Sequence, residues 1–517
     1  MKKFSLILFI IGIAISLNAQ TPITFNKVKY YFGDSLTSSG VIKSIEKIGS
    51  NYYLGIDAYS DSLLYTSYVV KTDLYGNKIA QSPRFGTDTT AFFIGTGNGM
   101  IVDSDTNILL IGDYIWGQWG GFAIKLNKNM DTIWTKLYRF PDSLVNYAYP
   151  NPRHLFKAIT QTLDGNYMIM GSYFLDSNYY YTDIRPYLIK IDKNGNVLWR
   201  KLYPNLLTAF DIAATSDSGF VFTAARNGYW GSFICKTDEN GDIDWFTKQI
   251  NTRYLTCYDL TVNNNHIISV VPFEYTGNPD PYLTKFGLNI TKTNSISGQI
   301  IWTKQYFPMI TVENPTLHQH LEVEVDQYDN IIIAATGTAL NYDSSAVSYK
   351  GFLMKLNSNG DSLWSHFYDW GNFFEHHSQF NDLVLTDEGG ILAGGFYNPP
   401  YMNYYQGAWL VKTDSMGNAP VMFTVGIENE ELIIKNYELR IYPNPTTDNI
   451  NLSMAEKPKE ELHLEVFNIS GRLVLQQKLP AFEKEHRIDI QHLQSGVYLV
   501  KLMSENQVVY SGKIVKE

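Results

Sequence analysis

Apolar and polar residues alternate with period two through most of the chain, in short runs cut by Gly, Asn, Asp and Ser, which predicts β-strands joined by turns. One unit recurs, and its clearest copy is LIKIDKNGNVLWRKLY at Leu188–Tyr203. It reads as an apolar strand carrying Lys, a polar turn closing on Gly, then an aliphatic residue, Trp and a basic-aromatic ending. Six more copies lie at Tyr68–Gln81, Phe122–Tyr138, Phe233–Lys248, Leu288–Tyr306, Phe352–Tyr368 and Trp409–Phe423. Their turn positions are Gly76, Met130, Gly195, Gly241, Gly298, Gly360 and Gly417, a mean step of about 57 residues, near the roughly 50 of kelch-type blades.

Each unit divides into four strands. In the third copy these are His154–Leu163, Tyr167–Phe174, Tyr187–Asp192 and Val197–Tyr203, with Asp164-Gly165 and Asn194-Gly195 supplying the positive φ of tight hairpins. Met130 breaks the rule, so its turn is expected to be built differently. The predicted fold is all-β: a seven-bladed β-propeller followed by a small Ig-like β-sandwich. The seventh copy has no Trp-x-Lys-x-Tyr strand of its own, whereas Phe25–Phe32 (FNKVKYYF) is a basic-aromatic strand ahead of the first unit. The N-terminal strand is therefore expected to complete the seventh blade and remove an exposed edge. The units resemble Trp-containing propeller repeats of large secreted proteins of Bacteroidota-type bacteria and, more distantly, the quinoprotein repeat. That resemblance implies a fold and names no activity.

Met1-Lys2-Lys3, the apolar run Phe4–Leu17 and Asn18-Ala19-Gln20 follow the order of a secretory signal peptide, assigned to residues 1–20. No later run is long enough to span a bilayer as a helix. Charge alters the picture little. Loss of the leader takes the formal charge from −10 to −12, spread along the chain, which argues against a nucleic-acid partner. Cys235 and Cys257 exclude a disulfide-stapled scaffold and leave open one bridge or two buried thiols.

The repeat region spans 21–423, residues 424–438 read as a linker, and 439–517 carry a new set of short strands. The opening Tyr442-Pro443-Asn444-Pro445, the NISGR turn with Gly471, the GVYLVK strand with Gly496 and Tyr498, and the closing KIVK resemble the type A sorting domain of the type IX secretion system. The resemblance implies export to the periplasm, docking of 439–517 with the outer-membrane secretion machinery, and delivery of the passenger to the surface or beyond.

Candidate chemistry concentrates in the connections between strands two and three and between blades, which share one propeller face. Trp116, Trp119, Tyr180, Trp230 and Tyr404, with Tyr114 and Tyr397, suit stacking on sugar rings or anchoring a protein. His154, His318, His320, His376 and His377 enter the same face. The alternative is that these aromatics pack between blades. Asp103, Asp105 and Asn107 place oxygen donors at alternate positions, as calcium loops do, without the Gly and distal Glu of an EF-hand; a plain polar turn is the competing reading. No other cofactor is expected. A glycan- or protein-binding passenger is the leading expectation. The alternatives are a polysaccharide-active glycosidase or lyase using loop acids such as Asp183, Glu274 and Glu375, and a quinoprotein-like oxidoreductase, which would lack the adjacent cysteine pair of many such enzymes.

Overall fold

The alternating pattern is realised as 36 strands and no helix among the described residues. In the computed structural model these are 23–29, 38–60, 63–86, 90–95, 98–116, 118–139, 153–174, 184–226, 229–250, 259–275, 283–312, 321–340, 347–369, 377–398, 406–419, 439–454, 457–458, 461–468, 473–504 and 507–517. The chain divides into two compact units, Met1–Met422 and Phe423–Glu517.

The first unit is a seven-bladed propeller. Blade 1 runs from its inner to its outer strand as Ser38–Ile48, Asn51–Ser60, Leu63–Thr72 and Lys78–Gln81. In blade 2 the inner strand is split into Ala91–Ile94 and Met100–Val102, both paired with Ile108–Trp116, followed by Gln118–Leu126 and Thr132–Tyr138. Blade 3 is Arg153–Gln161, Tyr167–Phe174, Ile184–Ile191 and Val197–Leu202, and blade 4 is Leu206–Ala214, Phe220–Arg226, Tyr229–Thr237 and Ile243–Ile250. Blade 5 is Asp259–Asn263, His266–Tyr275, Leu283–Asn294 and Ile300–Val312; blade 6 is Glu322–Val325, Ile331–Leu340, Val347–Leu356 and Ser362–Tyr368. Blade 7 takes His377–Leu385, Ile391–Asn398 and Gly407–Lys412 from its own segment, and its outer strand is Phe25–Lys29, antiparallel to Gly407–Lys412 with Phe25 opposite Lys412. Each inner strand touches the inner strand of the next blade, and the seventh touches the first, so the ring closes.

The repeat's Trp, Lys and Tyr join neighbouring blades. Outer-strand residues Trp134, Trp245 and Trp364 donate their indole N–H to Lys193 O, Ile296 O and Ser415 O in the next blade's last turn, at 3.0–3.1 Å. Tyr138, Tyr203 and Tyr368 donate to the turn carbonyls of Gly195, Gly241 and Gly417, at 2.9, 2.7 and 2.5 Å. Tyr306 does the same to Gly360. Lys201 and Lys304 reach the acids that follow these glycines, Asp242 and Asp361. Glycine is required for two reasons. The φ is +77° at Gly241, and a Cβ there would come 2.9 Å from the Trp199 ring.

The N-terminal strand repeats this contact at the closing seam. Lys27 Nζ donates to Tyr75 O, and a Cβ on Gly76 would meet Phe25 at 3.2 Å, so Phe25 and Lys27 stand where other blades have Trp and Lys. Blade 1's own outer strand, KIAQ, lacks the Trp, and the turn it faces in blade 2 is the one with Met130. Contrary to expectation, that turn is built like the others. Met130 N donates to Asn127 O, Asn127 N donates to Asp131 O, and Met130 holds φ +77° with its side chain in the core. Blade 1 engages this turn through its second strand instead, where Tyr53 donates to Lys128 O at 3.0 Å, and burial of the Met130 side chain in the same core offsets the left-handed strain.

The repeat's strand-three Lys braces the other tight turn of its own blade. Lys125, Lys190, Lys236 and Lys355 pair with Asp103, Asp164, Asp217 and Asp326 at 2.8–3.0 Å. Blades 1 and 5 have shorter two-residue turns there, Gly49-Ser50 and Asn264-Asn265, and no acid in them.

The second unit is a β-sandwich. Leu439–Tyr442, Asn449–Met454 and Glu485–Asp489 form one sheet; Leu473–Leu479, Leu462–Asn468, Gly496–Ser504 and Gln507–Lys516 form the other. Alternate residues such as Ile450, Leu452, Leu464, Val466, Val500 and Ile514 fill the core between them.

Truncating the clamp tests its weight. Trp199→Ala should cost roughly 2–3 kcal/mol and Tyr203→Phe about 1 kcal/mol in denaturant unfolding. Gly241→Ala should destabilise more than Gly389→Ala, although both sit near φ +78°, because a Cβ at Gly389 meets nothing nearer than Ser415 at 3.8 Å. Equal costs would mean that φ strain alone demands the glycines.

Candidate functional site

Around the propeller axis the inner strands carry ionisable residues where a packed strand would otherwise be apolar. The pairing register skips residues between Ile42 and Ser44, Phe156 and Ala158, Ala209 and Ile212, and Phe380 and Asp382. These bulges fall at Lys43, Lys157, Phe210-Asp211 and Asn381, one near the same height in each of blades 1, 3, 4 and 7. Blades 5 and 6 contribute Asp259, Glu322 and Glu324 from their short inner strands.

Three of these inner-strand carboxylates, together with Asp57 and Asp113 on the second strands of blades 1 and 2, cross a blade seam. Asp57 accepts from Ile94 N at 3.0 Å, Asp113 from Phe156 N at 2.7 Å, Asp211 from Leu260 N at 3.3 Å, Asp259 from Val323 N at 2.5 Å and Asp382 from Ile45 N at 2.6 Å. In every case the donor is the inner strand of the following blade, with blade 7 reaching back to blade 1. The closing seam has a further bond, from Asn381 Nδ2 to Ile42 O at 2.6 Å. An inner strand at a bulge or start has backbone N–H groups left without a ladder partner, and a short carboxylate satisfies them.

Burial sets the electrostatics. It pushes Asp57 and Asp211 up to about 6, Glu324 to about 7 and Asp113 to about 8. Glu46, Asp259, Glu322 and Asp382 are raised well above the carboxylate range, first by burial, with like charges adding to the effect. Lys43, beside Asp57, and Lys157, beside Asp113, are lowered by the same loss of water. The inner strands of blades 1 and 3 thus carry lysines beside raised acids, whereas those of blades 4 to 7 carry acids and no lysine.

None of the sequence-predicted ligand residues is among these axial groups. Tyr180, His318, His320, His376, Tyr404, Asp183 and Glu375 fall outside the described residues, as do the leader 1–20, Cys257 and Gly471. Trp116, Trp119, Trp230 and Glu274 belong to strands that run further than expected, not to loops, and His154 lies in Arg153–Gln161, the strand it was expected to open. His377 is exposed at a strand start with its ring 4.7 Å from that of Tyr349. Tyr114 and Tyr397 are buried, 1% and 7% exposed, so they pack as core residues and offer no stacking surface. Cys235 is a buried strand residue.

The calcium reading fails on geometry. Asp103 Oδ1 accepts from Asp105 N and Asn107 N, Oδ2 accepts from Tyr167 OH, and Lys125 lies 2.9 Å away. Asp105 is drawn instead toward Lys193, at 3.4 Å. Their carboxylates serve two different lysines and do not converge on an ion. No cluster of three or more His, Cys, Asp or Glu among the described residues suits a metal.

In the sandwich, the two ends of the sequence motif meet. Asn444 Nδ2 donates to Lys513 O and its Oδ1 accepts from Val515 N, while Thr446 N donates to Val515 O. Tyr498 donates to Gln494 O at 2.6 Å. A polar groove of about 500 Å³ opens beside this loop, lined by Pro443, Pro445, Asp448, Asn451 and Arg487 among others.

Residues 440–517 match the family described as the secretion system C-terminal sorting domain. This C-terminal unit is a type IX secretion sorting domain: it engages that machinery, and the protein is exported to the outer-membrane surface or the extracellular space. No helix among the described residues is long and apolar enough to cross a membrane. No curated protein matches the chain. Solved structures similar to it include an α-L-arabinanase of Penicillium chrysogenum complexed with arabinobiose, at 10% identity over 76% of this chain and 99% of that one, TM-score 0.39. A second is the α-L-arabinofuranosidase of Fusarium graminearum with arabinobiose, at 9% identity over 76% and 96%, TM-score 0.35. A third is the cobalt-substituted Synechocystis ACO, at 10% identity over 77% and 95%, TM-score 0.37.

The turn at Asp103 yields a direct test. Asp103→Asn should lower the thermal midpoint with or without calcium, because it breaks the Lys125 pair, whereas Asp105→Asn should leave it unchanged in both conditions. A calcium-dependent rise of the midpoint that Asp105→Asn abolishes would restore the ion.

Proposed function

We propose that the propeller is a binding passenger, carried to the cell surface by the sorting domain, that recognises a glycan or an extracellular protein through the face opposite its tight turns. The observation that supports this reading is where the axial carboxylates go. Five of them accept backbone N–H groups of the neighbouring blade, which makes them joints of the ring rather than unattached acids for chemistry. The tight-turn face is likewise occupied by Asx-type hydrogen bonds and by the neighbour's Trp and Tyr. Ligand contact is thereby left to the long connections, whose sequence is rich in Tyr, Trp and His. Substituting Tyr180 and Tyr404 together by Ala should reduce binding at least tenfold on a glycan array or in a surface-protein pull-down. Undiminished binding would overturn the assignment of this face.

A polysaccharide-active enzyme is the second reading, and one observation favours it. Among the described residues Glu324, which burial pushes up to about 7, bonds no neighbouring blade, and Asp211 is within its electrostatic reach. A carboxyl that is still about half protonated at neutral pH, near one that ionises sooner, meets the first requirement of acid–base glycoside cleavage. On this reading the protein releases reducing sugar from a plant or microbial polysaccharide, and Glu324→Gln abolishes that release without unfolding the ring. Activity that survives Glu324→Gln would remove Glu324 from the chemistry.

A further inference from the structure

The acids on the far side of the axis stand near one another, and two of them, Asp211 and Asp259, lie on the joints that hold blades 4 to 6 together. Asp259 Oδ2 accepts from Val323 N across the seam between blades 5 and 6, while Asp211 accepts from Leu260 N across the seam between blades 4 and 5. Asp211 Oδ1 is buried and meets no donor among the described residues, and the Asp259 carboxyl stands beside it, so a proton held between the two would satisfy both. Both residues are buried, at 0% and 2% exposure. Facing them are Glu322 and Glu324 from blade 6, Asp382 from blade 7 and, beyond those, Glu46 from blade 1. The lysines of the ring, Lys43 and Lys157, stand on blades 1 and 3 beside Asp57 and Asp113. Lys47 pairs outward with Asp387 at 2.5 Å.

We infer that this half of the ring is a proton-held lock, in which shared protons fasten the seams of blades 4 to 6 and their loss loosens them. When the shared proton leaves, two carboxylates oppose each other without water, and the strain falls on the bonds to Leu260 and Val323. The ordinary carboxylate value in an unfolded chain is about 4. Asp211 and Glu324 titrate at about 6 and 7 in the folded ring, and Asp259, Glu322 and Asp382 above the usual range. The folded state therefore binds more protons than the unfolded one between those limits. Its extra stability is full below about pH 4 and is lost as pH rises through the folded values. Turn carboxylates such as Asp192, Asp238 and Asp414 have lowered values from their backbone N–H and side-chain hydrogen bonds, and they act below that window with the opposite sign. Lys43 and Lys157, lowered by burial, also act with the opposite sign as pH rises, and a single-site variant leaves their contribution unchanged.

The test is a pair of thermal-unfolding series on the full chain from pH 5 to pH 8, wild type against Asp259→Asn. The carboxamide copies the protonated acid: its oxygen accepts from Val323 N and its NH₂ donates to Asp211. The wild-type midpoint should fall by several degrees across the range, and that of Asp259→Asn should fall measurably less. Glu322→Gln should also flatten the fall, and serves if Asp259→Asn does not fold. In the wild type, amide exchange at Leu260 and Val323 should accelerate at pH 8 beyond the intrinsic base-catalysed increase. A wild-type midpoint that is flat or rises with pH, or variants that fall as steeply as wild type, would overturn the inference.

Discussion

Everything in the propeller depends on how one blade is fastened to the next, because a four-stranded sheet of this size cannot bury both of its faces alone. The outer fastening is the aromatic clamp on a left-handed turn, in which Trp and Tyr of one blade cover the Gly turn of the next and donate to its carbonyls. The contact combines apolar burial with a satisfied donor, and it sets the distance between blades, since an added Cβ at the turn would push the ring away. That coupling accounts for the repeat. Trp and Gly recur together because each is the other's surface, and where blade 1 lacks the Trp, blade 2 tolerates Met130.

The inner fastening solves a different problem. Near the axis, inner strands bulge, and a bulge leaves an N–H without a ladder partner in a place that water reaches poorly. A carboxylate supplied by the preceding blade satisfies it, at the cost of burying an acid. Several such acids brought together raise one another's affinity for protons, so a structural device becomes an electrostatic one. The same side chains thus join the ring and give it a dependence on pH.

The two units of the chain differ in how directly sequence speaks about function. The sorting domain carries its identity in a loop and a strand far apart in sequence, and the fold explains why both matter: Asn444 stands in for backbone by bonding Lys513 O and Val515 N, so the opening and closing motifs form one structure. The propeller's repeat, by contrast, describes joints between blades, which any ligand specificity would leave unchanged.

Period-two alternation, the seven recurring turns and the missing strand of the last unit were enough to foresee seven blades closed by Phe25–Lys29, because those features are local or repeat at a fixed step. The sorting domain was legible for the same reason: its motifs are short and ordered. The axial acids were not. Asp211, Asp259 and Asp382 sit in the similar settings Phe-Asp-Ile, Tyr-Asp-Leu and Asn-Asp-Leu, a charge inside an apolar strand that could have been noticed, yet their seam-crossing bonds join residues up to 337 apart in sequence. Loop aromatics misled in the other direction, since Tyr114 and Tyr397 look exposed by their neighbours and are buried by the adjoining strands. Spacing along the chain determined which elements form and how many; only the closing of the ring decided which side chains lose water, and with it where protons are held.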